Sequence, residues 1–237
     1  MKITRQSLIT LGLMASFFSC SCSERPGTAS QAAGGAGTLF FIELSFPAGA
    51  YSQPEQRRNF VQQVLSRIKA LPEVESAAAA GTPPRQPQSV VREYDPGKAE
   101  LNYSAVTPEY FRALNLALLK GRQFEEREGP NTPAVIILSE STARRLFPGE
   151  DPMGKRFAFS EREGRSPWAE VVGVVADGPE SSTRPRTEIY RPYSQDPDAA
   201  VEMVVSAKSK TPTLAEKLRA EILAVDKQVT VSKVQNR

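Results

Sequence analysis

An α+β fold is predicted for this 237-residue chain, and three features of the sequence predict it. A strand-helix-strand pattern opens the ordered part of the chain at residues 39–80, and a second closes it at 201–234. Each of the two helices carries an apolar stripe of helical period, while the strands are short and largely apolar or alternate with period 2. Between them lies a mixed stretch of shorter strands and helices punctuated by proline and glycine. Two β-α-β units bracketing such a middle imply that the middle is an insertion.

The first strand is predicted over residues 39–46, where Ile42, Leu44 and Phe46 alternate with Glu43 and Ser45. A helix follows, with Ser52 and Glu55 at capping-box spacing and Pro54 in the first turn. Phe60, Val61, Val64, Leu65, Ile68 and Leu71 form its stripe, and Pro72 stops it. Residues 74–80 are the second strand, reached by a crossover expected to be right-handed. Residues 81–98 hold four prolines and two glycines and are expected to form a long exposed loop. A strand over 101–106 then leads into Thr107-Pro108-Glu109, which caps a short helix burying Tyr110, Phe111 and Leu114. Strands are expected at 116–119, closed by Lys120-Gly121, and at 135–138, where Ser139 caps a helix running to Leu146. After Pro148-Gly149 come strand pieces at 156–159, 170–175 and 188–190. The chain closes with a strand at 201–207 and a helix at 213–225 that places Leu214, Leu218, Ile222 and Val225 on one face. A last strand runs over 229–234.

The N-terminus reads as an export signal. Lys2 and Arg5 precede an apolar run from Leu8 to Phe18, about eleven residues against the ~20 that span a bilayer. Ser19 and Cys20 end the run, which is where bacterial lipoproteins are cleaved and acylated; Cys22 is the alternative acceptor. Residues 1–19 are thus expected to be a signal peptide. Residues 20–38, small and Gly/Ala-rich, are expected to be a flexible tether reaching ~20–25 Å in root-mean-square terms. Ser21 after Cys20 favours the outer over the inner membrane. The other outcome is a soluble periplasmic or secreted protein with two incidental cysteines.

Composition prunes function sharply. Without residues 1–19 the net charge of +3 falls to +1, with 28 basic side chains against 27 acidic ones. That balance gives no electrostatic reason to expect nucleic acid, and the pI near 8.9 marks no basic binding surface. Both cysteines lie at the signal's exit, which excludes a disulfide framework in the folded part. There is no histidine, so Ser-His-Asp catalysis, Cys-His catalysis and His-rich zinc sites are excluded as well.

Few motifs remain. Residues 149–156 (GEDPMGKR) nearly match a phosphate-binding P-loop, but the predicted order is helix-turn-strand, where a P-loop needs strand-turn-helix. Arg156 also stands where the metal-binding Ser or Thr belongs, and Glu150 and Asp151 would repel phosphate. The pairs Glu125/Glu126 and Glu161/Glu163 sit in polar loops and read as solvated surface. Asp177, ending a buried strand, is the best single candidate for a perturbed carboxylate, although Asp177-Gly178-Pro179 has the composition of a turn. Trp168 reads as a packing residue. Arg184, Arg186 and Arg191, with Tyr190 and Tyr193, read as a solvated basic loop.

Five stretches carry a family likeness: residues 60–78 (FVQQVLSRIKALPEVESAA), 106–124 (VTPEYFRALNLALLKGRQF), 135–157 (VIILSESTARRLFPGEDPMGKRF), 171–177 (VVGVVAD) and 188–193 (EIYRPY). They resemble the periplasmic core domain of MacB-like ABC transporter permeases, notably the acidobacterial type. The likeness covers nearly all of residues 39–235. It implies a two-lobed module over 39–237, with a porter-like, ferredoxin-like lobe built from 39–106 and 200–237 and a small mixed α/β lobe, 107–199, inserted between. It implies no catalytic residues, no metal, no cofactor and no nucleotide. It also implies a membrane or periplasmic protein partner, either a transporter subunit or an adaptor. The family's domain stands between transmembrane helices, and this sequence holds no ~20-residue apolar span. The expectation is therefore a lipid-anchored, non-enzymatic protein-binding module, which a one-ended anchor would hold at a membrane without transmitting force across it. The competing expectations are a lipoprotein binding a lipid or hydrophobic ligand in a closed apolar pocket between the lobes, and a degenerate permease fragment.

Overall fold

In a computed structural model the described residues are 38–47, 49–81, 88–93, 95–161, 164–165, 167–178, 188–198, 200–209 and 212–236. The expected signal peptide and tether, residues 1–37 with Cys20 and Cys22, lie outside them, as do Glu163, Arg184 and Arg186. The first elements are β1 (Thr38–Ser45), α1 (Pro54–Lys69), β2 (Val74–Gly81), β3 (Gln88–Arg92), β4 (Asp95–Leu101) and β5 (Tyr103–Val106). There follow α2 (Tyr110–Ala113), β6 (Leu118–Gly121), β7 (Val135–Ser139), α3 (Glu140–Leu146), β8 (Arg156–Glu161), β9 (Gly164–Arg165), β10 (Ala169–Val175) and β11 (Ile189–Pro192). The chain ends in β12 (Ala200–Ala207), α4 (Leu214–Val225) and β13 (Thr230–Asn236).

One mixed sheet runs β13-β1-β12-β2-β5-β11-β7-β10-β8-β3-β4, with β6 added to β10 and β9 to β8. Its first four strands interleave the two ends of the chain. β12 lies antiparallel between β1 and β2, and β1 lies antiparallel between β13 and β12. The two β-α-β units seen in the sequence are therefore split units locked into each other, which is the ferredoxin-like arrangement. The result is an α+β fold, as the sequence predicts.

Burial explains the interleaving. α1 turns Phe60, Val61, Val64, Leu65 and Ile68 onto the sheet, and α4 turns Leu214, Leu218 and Ile222 onto it beside them. Phe40, Ile42 and Leu44 of β1 and Val201, Met203 and Val205 of β12 complete this core. The intervening residues Phe41 and Val204 belong to a second core on the opposite face, with Phe111, Phe124 and Tyr190. β12 is thus a central strand covered on both sides, as its near-continuous apolar run requires. The alanines of β2 divide likewise, Ala77 and Ala79 to the first core and Ala78 and Ala80 to the second. A third core, around Phe157, Ile136, Leu138 and Val171, lies at the α3 end of the sheet.

Local chemistry shifts several predicted boundaries. The cap of α1 is Gln53 and Gln56, one residue past Ser52 and Glu55: the Gln53 amide donates to Gln56 Oε1 at 3.2 Å. Pro54 forces this, because a residue before proline is pushed into the extended region, where Gln53 lies (φ −87°, ψ 134°). The predicted 81–98 loop instead contains the hairpin β3-β4, with Val90 and Val91 buried. Pro96 fits there because β4 ends the sheet path, with no further strand beside it among the described residues. The strand expected at 101–106 breaks at Asn102, whose amide donates to Glu188 Oε2 at 2.8 Å. β6 begins two residues late, after Asn115 takes a left-handed φ of +53°, and it includes Lys120 and Gly121.

Candidate functional site

The strongest candidate is a groove of about 390 Å³ running beside α1. The face of α1 that lines it carries Arg58, Gln62, Ser66 and Lys69, spaced by the helical turn. Opposite stand Thr107, Pro108 and Glu109, then Glu125 and Glu126, then Tyr193 and Ser194. Val61, Leu65 and Tyr193 form a floor, and each is under 7% exposed.

Each wall is held by identifiable bonds. Thr107 is pinned to β2: its amide donates to the Ala79 carbonyl, and its Oγ1 accepts the Ala79 amide, both at 2.9 Å. The Tyr193 amide donates to the Val106 carbonyl (2.8 Å) and its hydroxyl to the Asp198 carbonyl (3.3 Å). The acidic turn is set by Glu128, which accepts the Glu125 amide (2.9 Å) and pairs with Arg122 (2.7 Å) while its side chain is 6% exposed. Lys69 and Glu109 form an ion pair across the groove, and Glu125 pairs with Arg127 at 2.6 Å. Arg58, Gln62 and Glu126 make no hydrogen bond or ion pair among the described residues. Glu126 was legible in the sequence as surface acid. Arg58 was not singled out, although it stands three residues before Val61, on the edge of the apolar stripe.

A second cleft of about 400 Å³ lies between β6 and α3. Leu119, Ala143, Phe147 and Val174 line it, with Lys120, Glu140, Arg144 and Glu150 at its rim. A register shift between Val174 and Val175 leaves Leu119 as an extra residue in β6, and Leu118 and Leu119 are 38% and 45% exposed. The P-loop-like stretch falls here, in a turn running from α3 to β8, with Gly149 and Gly154 at positive φ. The helix-turn-strand order holds. Lys155 pairs with Glu150 (3.3 Å) and Lys120 with Asp151 (3.4 Å). The Met153 amide, then Lys120, hold the Asp151 carboxyl below its ordinary range.

The other singled-out residues are structural. Asp177 Oδ1 accepts the Ser141 amide (3.1 Å) and hydroxyl (2.8 Å), capping the first turn of α3 from the end of β10. The Arg191 guanidinium lies 4.6 Å from the Phe159 ring centroid and 3.0 Å from Asp196, so it is no part of a solvated loop; Tyr190 and Tyr193 are buried. Trp168 is 37% exposed, contrary to the packing role expected of it, because β10 begins only after it. Asp198, absent from the sequence reading, packs against Gly81, where a Cβ would stand 1.7 Å from Asp198 Oδ2. Burial pushes its carboxyl up from 3.8 to about 7, against the opposing pull of Arg57. Among the described residues no cluster of three or more Asp, Glu, His or Cys could hold a metal, and no helix is long and apolar enough to cross a membrane.

Comparison with known proteins agrees with this fold. The structure of the periplasmic region of MacB from Actinobacillus actinomycetemcomitans superposes with a TM-score of 0.54 at 19% identity, covering 85% of this chain and 89% of that one. The extracellular domain of YknZ, a noncanonic ABC-type transporter from Gram-positive bacteria, gives 0.52 at 15% identity, covering 82% of this chain and all of that one. In sequence, the macrolide export ATP-binding/permease protein MacB of Azoarcus sp. is 26% identical over 193 residues, 81% of this chain but 27% of that protein. The MacB of Mannheimia succiniciproducens is 29% identical over 93 residues, 39% of this chain and 14% of that protein. The chain thus matches only a minor part of the length of these relatives. The family described as MacB-like periplasmic core domain matches residues 11–232, and the chain belongs to that family.

Proposed function

We propose that this chain is an exported, non-catalytic periplasmic domain that serves as a protein-interaction module of a transport or efflux system. We propose further that it is held at the membrane by a lipid on Cys20, with Cys22 as the alternative acceptor. The observation that carries this reading is the family match over residues 11–232, since the relatives named for macrolide export are permeases of which this domain is one part. The outer membrane is preferred because Ser21 follows Cys20. In this reading the groove beside α1 lies where the inserted lobe, residues 107–199, meets the lobe built from 39–106 and 200–237.

The groove's character favours a protein over a small apolar ligand. A lipid is best held in an enclosed apolar cavity, whereas the groove beside α1 and the cleft between β6 and α3 open to solvent and carry charged rims. Coprecipitation from detergent-extracted membranes tests the partner: a transporter or envelope protein is expected in stoichiometric amount, and its absence overturns the reading. Intact mass tests the anchor. A diacylated or triacylated species beginning at Cys20 or Cys22 is expected, and an unmodified chain beginning elsewhere refutes it.

A further inference from the structure

We infer that the groove beside α1 is the partner-docking surface, and that its occupant is a helix of a second protein presenting an acidic and a basic side chain to Arg58 and Glu126. This rests on the interaction-module reading above and names the surface and the chemistry of the partner. Three observations lead to it. The first is charge: α1 lines one wall with Arg58 and Lys69, and the facing wall carries Glu109, Glu125 and Glu126. Lys69 and Glu109 already satisfy each other, and Glu125 is held by Arg127 and Arg122. Arg58 and Glu126 remain, one cation and one anion with no polar partner among the described residues, both lining the same groove.

The second observation is shape. From Arg58 to Lys69 the α1 wall spans twelve residues, on the order of 16 Å or three helical turns. Among the described residues no β-strand residue lines the groove, which offers an extended segment no sheet edge to pair with. A helix satisfies its own backbone and needs only side-chain contacts, which suits this site. The third is the floor. Val61, Leu65 and Tyr193 are already almost covered, so little apolar area is left to bury. Recognition therefore rests on the charged rim, which confers specificity and salt sensitivity more than tight affinity.

The test places a photo-crosslinking amino acid at Gln62, inside the groove, and at Gln63, exposed and outside its lining, in the full chain in membranes of the cells that express it. Adducts are sequenced by mass spectrometry. The Gln62 probe is expected to attach to a helical segment with an acidic and a basic residue within about three turns. The yield should fall at least tenfold in Arg58→Glu and in Glu126→Lys, and it should fall when salt rises from about 0.1 to 1 M, which shortens the Debye length from about 10 to 3 Å. The Gln63 probe should not give this adduct. Arg58→Gln, which keeps the stem and removes only the charge, guards against misfolding and should lower the yield too, with circular dichroism unchanged. No adduct at Gln62, an adduct lacking the acidic residue, or a yield indifferent to both charge reversals overturns the docking surface. If coprecipitation still recovers a partner in that case, the interaction-module reading stands and only the groove assignment falls.

Discussion

Replacing Asp198 by Asn should make the protein more stable at pH 8 than at pH 4, relative to the wild type at each pH. Asp198 is held against Gly81 and largely withdrawn from water, and its carboxyl titrates near 7 instead of 3.8. The folded state therefore holds a proton that the unfolded chain has released over that interval. A group whose folded pKa is raised contributes its full stability below the unfolded value and loses it as pH rises through the folded value. The window here is about pH 4 to 7. Three units at 1.36 kcal/mol each set a ceiling of about 4 kcal/mol on the stability lost by pH 8. Asparagine never ionises and escapes that loss. Its own cost, a buried amide in need of partners, is about 1 kcal/mol and independent of pH, so it cancels when the two pH values are compared. Urea unfolding followed by circular dichroism at unit pH steps measures it. The mutant-minus-wild-type difference should climb by about 2–4 kcal/mol between pH 4 and pH 8. A difference flat to within about 0.5 kcal/mol would refute the claim that burial raises this carboxyl.

Gly81→Ala should destabilise by about 1–3 kcal/mol in the same unfolding assay at pH 7, because its methyl would meet the Asp198 carboxylate; Asp198→Ala in the same chain should recover most of the loss. Asp177→Ala should cost about 1 kcal/mol and raise amide exchange at Ser141, since it removes both bonds that cap α3 from β10. Ile68→Ala, a fully buried position between α1 and the sheet, should cost about 2–5 kcal/mol. Glu221→Gln, which breaks the exposed pair with Arg67 between α1 and α4, should change stability by less than about 1 kcal/mol.

The parts legible in the sequence were those governed by local period. The stripes of α1 and α4 placed in the core the side chains that the folded chain buries, with Leu71 and Val225 at their ends only half-buried, because a helix that must cover a sheet repeats its apolar residues every turn. The β3-β4 hairpin was missed because Pro96 and Gly97 argue for a loop locally, and only the position of β4 at the end of the sheet makes them acceptable. The groove was missed for a related reason. Arg58 on a helix and Glu126 in a loop are unremarkable singly and acquire meaning only as walls of one site. The same holds for Asp198, whose neighbour Gly81 lies 117 residues earlier.

By itself, the sequence determined the α+β class, the exclusion of histidine chemistry and the β-α-β pattern at each end. All of these depend on residue type or on spacing within a few turns of chain. Tertiary structure alone decided that the two end units interleave, since β12 fits between β1 and β2 only because Val201, Met203 and Val205 find one apolar face and Val204 finds another. It also decided which charges remain unsatisfied. Pairing of Lys69 with Glu109 and of Glu128 with Arg122 depends on contacts between distant segments, and those contacts leave Arg58 and Glu126 facing an open groove.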